Sequence, residues 1–126
     1  MTANPVDRLP GPIIHLITWP SLALGIAGVA RPSAVAGLIG VDQASGGRAI
    51  RLAGWRELIV LAAFLARPVR GSLWLFVGQD VCDLSTGIVL LGSRPGVLRS
   101  RKRLLRALFG YSLLAVGDVM AVRLSR

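Results

Sequence analysis

Charge, cysteine and histidine are all scarce in this chain, and each shortage removes a class of protein. Only 17% of the residues are charged while 53% are hydrophobic, and mean hydropathy is +0.63. Ordinary soluble domains carry about 25% charged residues. The charge that exists is also uneven: long stretches hold almost none, and the connectors between them are crowded with arginine. That distribution fits a bilayer as solvent and not a water-soluble fold. The single cysteine, Cys82, excludes an intrachain disulfide and, lying in an apolar stretch, says nothing about compartment. The single histidine, His15, excludes bis-histidine haem. The acids could take a hard metal, but no ligand spacing supports one, and no metal or other cofactor is expected.

Acids are outnumbered by bases, 6 against 15, for a net charge of +9 and a pI near 11.7. In a soluble protein that balance would suggest nucleic-acid binding. Here the basic residues stand at the ends of apolar segments, where they meet lipid phosphates and set orientation. No basic helix interleaved with aromatics and no nucleic-acid motif accompanies them. The expected partner is the lipid bilayer, with no nucleic acid.

Four apolar segments are present, at about residues 13–30, 49–66, 71–92 and 104–124. Each is close to the ~20 residues that a helix needs to cross ~30 Å of hydrocarbon. The expected fold is therefore all-α: a single membrane domain, residues 1–126, built as a four-transmembrane-helix bundle. The run Arg67-Pro68-Val69-Arg70-Gly71 reads as a tight turn that makes spans two and three an antiparallel hairpin. Ser93 to Arg103 reads as a basic loop, Ser33 to Val41 as a half-helix at the interface, and Asp42 to Gly47 as a polar loop. A cleaved signal peptide is the other reading of the first span, with Ala30 as the small residue at the cut. Its apolar core exceeds the usual 7 to 15 residues, and the preceding Arg8 is offset by Asp7. An intact Met1 in the purified protein separates the two.

Orientation follows from basic residues near the span ends. Arg31, Arg48, Arg51, Arg94, Arg99, Arg101, Lys102, Arg103 and Arg106 lie on one side, and Arg8, Arg67, Arg70, Arg123 and Arg126 on the other. Nine against five places the first set in the cytoplasm, in the plasma membrane, with both termini outside.

The spans also contain ionisable residues, each costing about 2.5–3.5 kcal/mol at mid-membrane on insertion scales. Counting from the turn at Val69 puts Arg56 at the same depth as Asp80 and Asp83, roughly 17–21 Å away at ~1.5 Å per residue. Asp80 and Asp83 are three apart and share a helix face. Reflection through the loop near Leu98 brings Asp118 opposite Gly78 and Gln79. Glu57 follows Arg56 and points about 100° away, toward the first helix or the edge of the same cavity. Four acids thus face one deep cation, and desolvation with like-charge repulsion is expected to keep a proton on at least one of them. That is the makings of an acid/base pair. The catalytic candidates are Asp80, Asp83, Arg56, Asp118 and Glu57; the substrate-binding candidates are Trp19, His15, Gln79 and Tyr111.

A bland reading stands beside this. Polar groups in membrane helices also act as interhelical glue, and His15 and Trp19 suit an interfacial anchor. Cys82 reads as a small packing residue. Ser21, Gly25, Gly54, Gly78, Gly87, Gly110 and Gly117 permit close helix contacts.

The segment Ala30 to Asp42 (ARPSAVAGLIGVD), then Arg51 to Ala66 (RLAGWRELIVLAAFLA) and the acid-bearing third span, resembles a family of small bacterial four-helix integral membrane proteins with no assigned activity. Their core reads Arg-x-x-Gly-x-Arg-acid, matched by Arg51, Gly54, Arg56 and Glu57. The likeness covers about residues 30–92 and implies a fold and a membrane location only.

Three functions are compatible with the pattern. One is an acid/base enzyme opening an epoxide of, cyclising or isomerising a small lipophilic terpenoid- or polyketide-like substrate; its Asp–Arg–Asp set resembles that of limonene-type epoxide hydrolases on an unrelated soluble fold. The second is a proton-linked carrier or pore, as a homodimer or larger oligomer. The third is an accessory subunit of a larger membrane complex.

Overall fold

Proline and glycine set most of the helix boundaries. The computed structural model describes residues 8–93 and 96–124. Helix α1 (Gly11–Ala30) starts behind Pro10 with Pro12 in its first turn, where a missing N–H breaks no helical bond. Pro32 opens the short α2 (Pro32–Ile39), which ends at Gly40 with φ +80°. That left-handed backbone favours glycine, and an added Cβ would also stand 2.3 Å from the Ser100 carbonyl oxygen. The Gly40 carbonyl accepts the N–H groups of Arg99 and Ser100 at 2.8 and 2.9 Å, while Val97 O accepts from Asp42 N at 2.8 Å. The basic loop is thereby pinned to the α2 end.

Helix α3 (Gln43–Ala66) begins earlier than the sequence suggests. Residues 43–47 are helical, not a polar loop, because the Asp42 side chain caps the helix by accepting from Ser45 N at 3.1 Å. Two glycines in that stretch mask the capping signal. A 3-10 turn (Arg70–Ser72) leads into α4 (Leu73–Leu91), and α5 (Arg101–Leu124) closes the fold. Among the described residues there is no strand, only two isolated bridges, Arg8 with Val69 and Val41 with Leu98.

Those bridges mark the two ends of the molecule. α1 packs along α3 and α4 along α5, with α2 against α3, whereas α3 and α4 meet at few points. The expected hairpin exists in chain order, but its helices stand apart. At the Arg8/Val69 end the gap is filled by a core of Leu9, Ile17, Leu61, Phe64, Leu73 and Phe76, joined by Ala121 and Val122. Phe64 and Phe76 meet edge-to-face at 5.3 Å. At the other end the gap is open.

Among the described residues three segments are long and apolar enough to cross a membrane: Gly11–Ala30, Arg70–Leu91 and Arg101–Leu124. α3 does not meet the same measure, since every 18-residue stretch of it includes Arg51, Arg56 and Glu57. The described residues thus form an all-helical fold of five α-helices, three with the composition of spans. Their outward faces carry Leu16, Ile26, Trp74, Ile88, Phe109 and Leu113, each at least half exposed. So large an apolar exterior is foreign to a soluble monomer. Arg94 and Arg126, used in the orientation count, lie outside the described residues.

Candidate functional site

The ionisable side chains form a layer at the level where the packed half of the bundle gives way to the open half. α3 supplies Arg56 and Glu57, α4 supplies Asp80 and Asp83, and α5 supplies Tyr111 and Asp118. α3 can bring its residues close because Gly54 sits against Gly25 and Gly28 of α1; a Cβ on Gly54 would lie 2.8 Å from Val29 N and 2.9 Å from Gly25 O. Such small-residue contacts let helix backbones approach. Of the Arg-x-x-Gly-x-Arg-acid residues, Gly54 makes the α1 contact, Arg56 and Glu57 enter the charged layer, and Arg51 is exposed.

Arg56 Nη2 donates to Asp83 Oδ1 in an ion pair across the α3–α4 gap. Tyr111 OH donates to the other oxygen, Asp83 Oδ2, at 3.1 Å. Asp83 is thus fixed from two sides and keeps further lone pairs free. Its side chain is 18% exposed and that of Arg56 is 40% exposed, so the guanidinium lies at the rim.

Asp80 is one turn before Asp83 yet serves a different neighbourhood. It is buried and shares a small cavity of about 40 Å³ with Asp118, Ser21, Tyr111 and Glu57. A much larger cavity of about 350 Å³ occupies the open half, walled by all five helices. Its lining is almost wholly apolar, with Glu57, Asp83 and Tyr111 at its deep end and Ser45 and Thr86 the other polar side chains. Glu57 and Tyr111 line both cavities.

The structure therefore gathers Glu57, Asp83 and Tyr111 at one cavity and Asp80, Asp118 and Glu57 at the other. Arg56 reaches the site through Asp83 and lines neither cavity. Gln79 is buried with Oε1 unpartnered, and it too lines neither. His15 and Trp19 lie on the exposed side of α1, Trp19 at 64%, away from both cavities. Neither therefore joins the substrate site that the sequence suggests for them. Cys82 is exposed.

Two contributions escaped sequence reasoning. Ser21, read there only as a small packing residue, is beside Glu57. α2, read as an interfacial half-helix, supplies Val35 and Ile39 as a cavity wall. Neither has a local signal, since both depend on which helix lies opposite. Among the described residues no three His, Cys, Asp or Glu side chains are grouped to hold a metal ion. Compared with family models, with curated proteins and with solved structures, the chain matches none.

Proposed function

We propose that this chain is a membrane-embedded acid/base enzyme acting on a small lipophilic molecule, with the larger cavity as its substrate site. The observation that carries this reading is an apolar cavity of about 350 Å³ whose charged groups converge at one end. Small-molecule sites have this form, about 300–1,000 Å³ of apolar lining with a few placed polar groups. Glue between helices explains the Arg56–Asp83 pair but not an empty volume beside it.

In the proposed chemistry the substrate's apolar body fills the open half of the bundle. Its reactive oxygen or acidic carbon meets Glu57, Asp83 and Tyr111. Asp83, as carboxylate, takes a proton from the substrate or from a nucleophilic hydroxyl; Arg56 and Tyr111 hold it in place. Glu57, as carboxylic acid, gives a proton to the epoxide, carbonyl or alkene carbon. Isomerisation, cyclisation and epoxide opening all fit one donor and one acceptor on opposite walls. One protomer holds every group, so no second copy is required.

The same reading makes α3 the fourth span of a bundle in the plasma membrane, both termini outside. α3 runs between the same two ends as its neighbours, carries Leu52, Trp55 and Ile59 on its exposed face, and turns Glu57 inward. Arg48 and Arg51 then sit at the cytoplasmic surface.

The test offers a panel of terpenoid and polyketide-like epoxides, enones and dienes to the purified protein and reads products by mass spectrometry. At least one is converted. Glu57→Gln and Asp83→Asn, shown folded by circular dichroism, lower the rate by about 100-fold or more, the usual share of a positioned acid or base. Ala53→Phe, which fills the cavity, abolishes conversion. Turnover that survives both acid substitutions sinks the proposal, as does a panel that is only accumulated by vesicles along a proton gradient.

A further inference from the structure

The smaller cavity has no task in the chemistry above, yet polar side chains make up much of its wall. Its walls include Ser21, Glu57, Asp80, Tyr111 and Asp118, contributed by α1, α3, α4 and α5. Asp80 is 8% exposed, and its Oδ2, counted as a carboxylate oxygen, has no donor in reach. Asp118 lines the same cavity, and two carboxyls can bond to each other there only when one of them keeps its proton. No arginine or lysine lines the cavity. A buried carboxyl oxygen without a donor is costly, and the volume beside it, about 40 Å³, exceeds the ~10–15 Å³ that one water requires. The polar partners a buried water needs, about two to four, are all present.

We propose that this cavity holds internal water that joins the Asp80–Asp118 pair, Glu57 and Tyr111 into a proton relay serving the larger cavity. The proposal rests on the reading of the larger cavity as a substrate site. The two polar groups common to both cavities, Glu57 and Tyr111, are the points of exchange. When Glu57 has given its proton to the substrate, the water gives it another and takes one in turn from the Asp80–Asp118 pair. One O–H bond breaks at the pair, one forms at Glu57, and the water is unchanged. The proton gained by Asp83 returns through Tyr111: the phenol passes its own proton to the water and receives that of Asp83 across the 3.1 Å contact. The water then re-protonates the pair. Asp80 and Asp118 never touch the substrate; they hold the proton that the reacting groups exchange.

The experiment is infrared difference spectroscopy on the full chain in lipid nanodiscs at neutral pH, in light and heavy water. The wild-type protein shows a protonated-carboxyl absorption that shifts in heavy water, because the relay is hydrated. Glu57→Gln removes one component, and Asp80→Asn and Asp118→Asn each shift that component as well as altering the single component of the pair. Tyr111→Phe leaves the carboxyl components in place and slows their exchange. The proposal is overturned if wild-type protein has no exchangeable protonated carboxyl, a result that needs no variant to fold. It is equally overturned if the Glu57 component is unmoved by both aspartate substitutions. The spectrum is taken without substrate, so its outcome is separate from that of the turnover panel.

Discussion

Gly54→Ala offers a direct test of how closely α3 must approach α1 to form the charged layer. The added Cβ would lie 2.8 Å from Val29 N, 2.9 Å from Gly25 O and 2.9 Å from the Gly28 carbonyl carbon. All three are backbone atoms, so no side chain can swing aside. Ordinary contact is at ~3.5–4.0 Å, and the helices must part by roughly half an ångström or more. Overpacking of this kind costs about 1–3 kcal/mol. Against it stands the gain of about 0.5–1 kcal/mol from replacing glycine in a helix interior. The net expectation is a destabilisation of about 0–2.5 kcal/mol, and of about 1–3 kcal/mol relative to a control that carries the gain alone. Gly78→Ala is the control: it is in α4, a Cβ there meets nothing within 4 Å, and only the gain applies, so it should be neutral or stabilising by up to about 1 kcal/mol. Titration from mild detergent into dodecyl sulfate, followed by circular dichroism, gives both unfolding midpoints. Glu57 is one turn beyond Gly54, so the same substitution should weaken ligand capture by the larger cavity. If Gly54→Ala unfolds at the midpoint of Gly78→Ala, the close approach of α1 and α3 is wrong and the site's geometry goes with it.

Asp83→Asn should destabilise by about 1–2 kcal/mol: less than the ~3–5 kcal/mol of breaking a fully buried pair, because Arg56 is 40% exposed. Combining it with Arg56→Gln should be milder than the sum of the two, and strict additivity in the same detergent titration would deny the ion pair. Tyr111→Phe removes a hydrogen bond to the Asp83 carboxylate and should cost about 1.5–3 kcal/mol, measured the same way. Gly40→Ala should cost at least about 1–2 kcal/mol from its left-handed backbone alone, with faster proteolysis of the 92–100 connector as the loop loses its anchor at Ser100; unchanged cleavage would show the pin to be unimportant. The backbone N–H of Ser45 holds the Asp42 carboxyl below its ordinary value of 3.8, with Arg99 Nε at 3.3 Å adding to it. A lowered acid binds fewer protons folded than unfolded, so its contribution is complete above that ordinary value and disappears as pH falls below it. The acid limb of the unfolding midpoint should therefore soften in Asp42→Asn, which keeps the cap acceptor but does not titrate.

The relative heights of Arg56, Asp80, Asp83 and Asp118 along the bundle were legible from counting alone, because helix rise is fixed and the connectors anchor the count. Arg56 does meet Asp83, and Asp118 does line the same small cavity as Asp80. Direction was less legible. Asp80 and Asp83 share a face at helical spacing, yet that face looks onto two cavities, and a difference of one turn assigns each acid to a different one. His15 and Trp19 have suitable chemistry and face outward, since α1 spends its inner face on Ser21, Gly25 and Gly28 against α3.

Composition and periodicity by themselves determined an all-helical chain with apolar spans, basic connectors and acids held at mid-height, since each of these is local or depends only on rise per residue. The separation of α3 from α4 belonged to the tertiary structure alone. It arises because the large core side chains Phe64, Leu73 and Phe76 fill one end of the bundle while Ala49, Ala53, Gly87 and Ala107 stand at the other. Volume at a point in space is the sum over helices far apart in sequence, and no single stretch of residues records it.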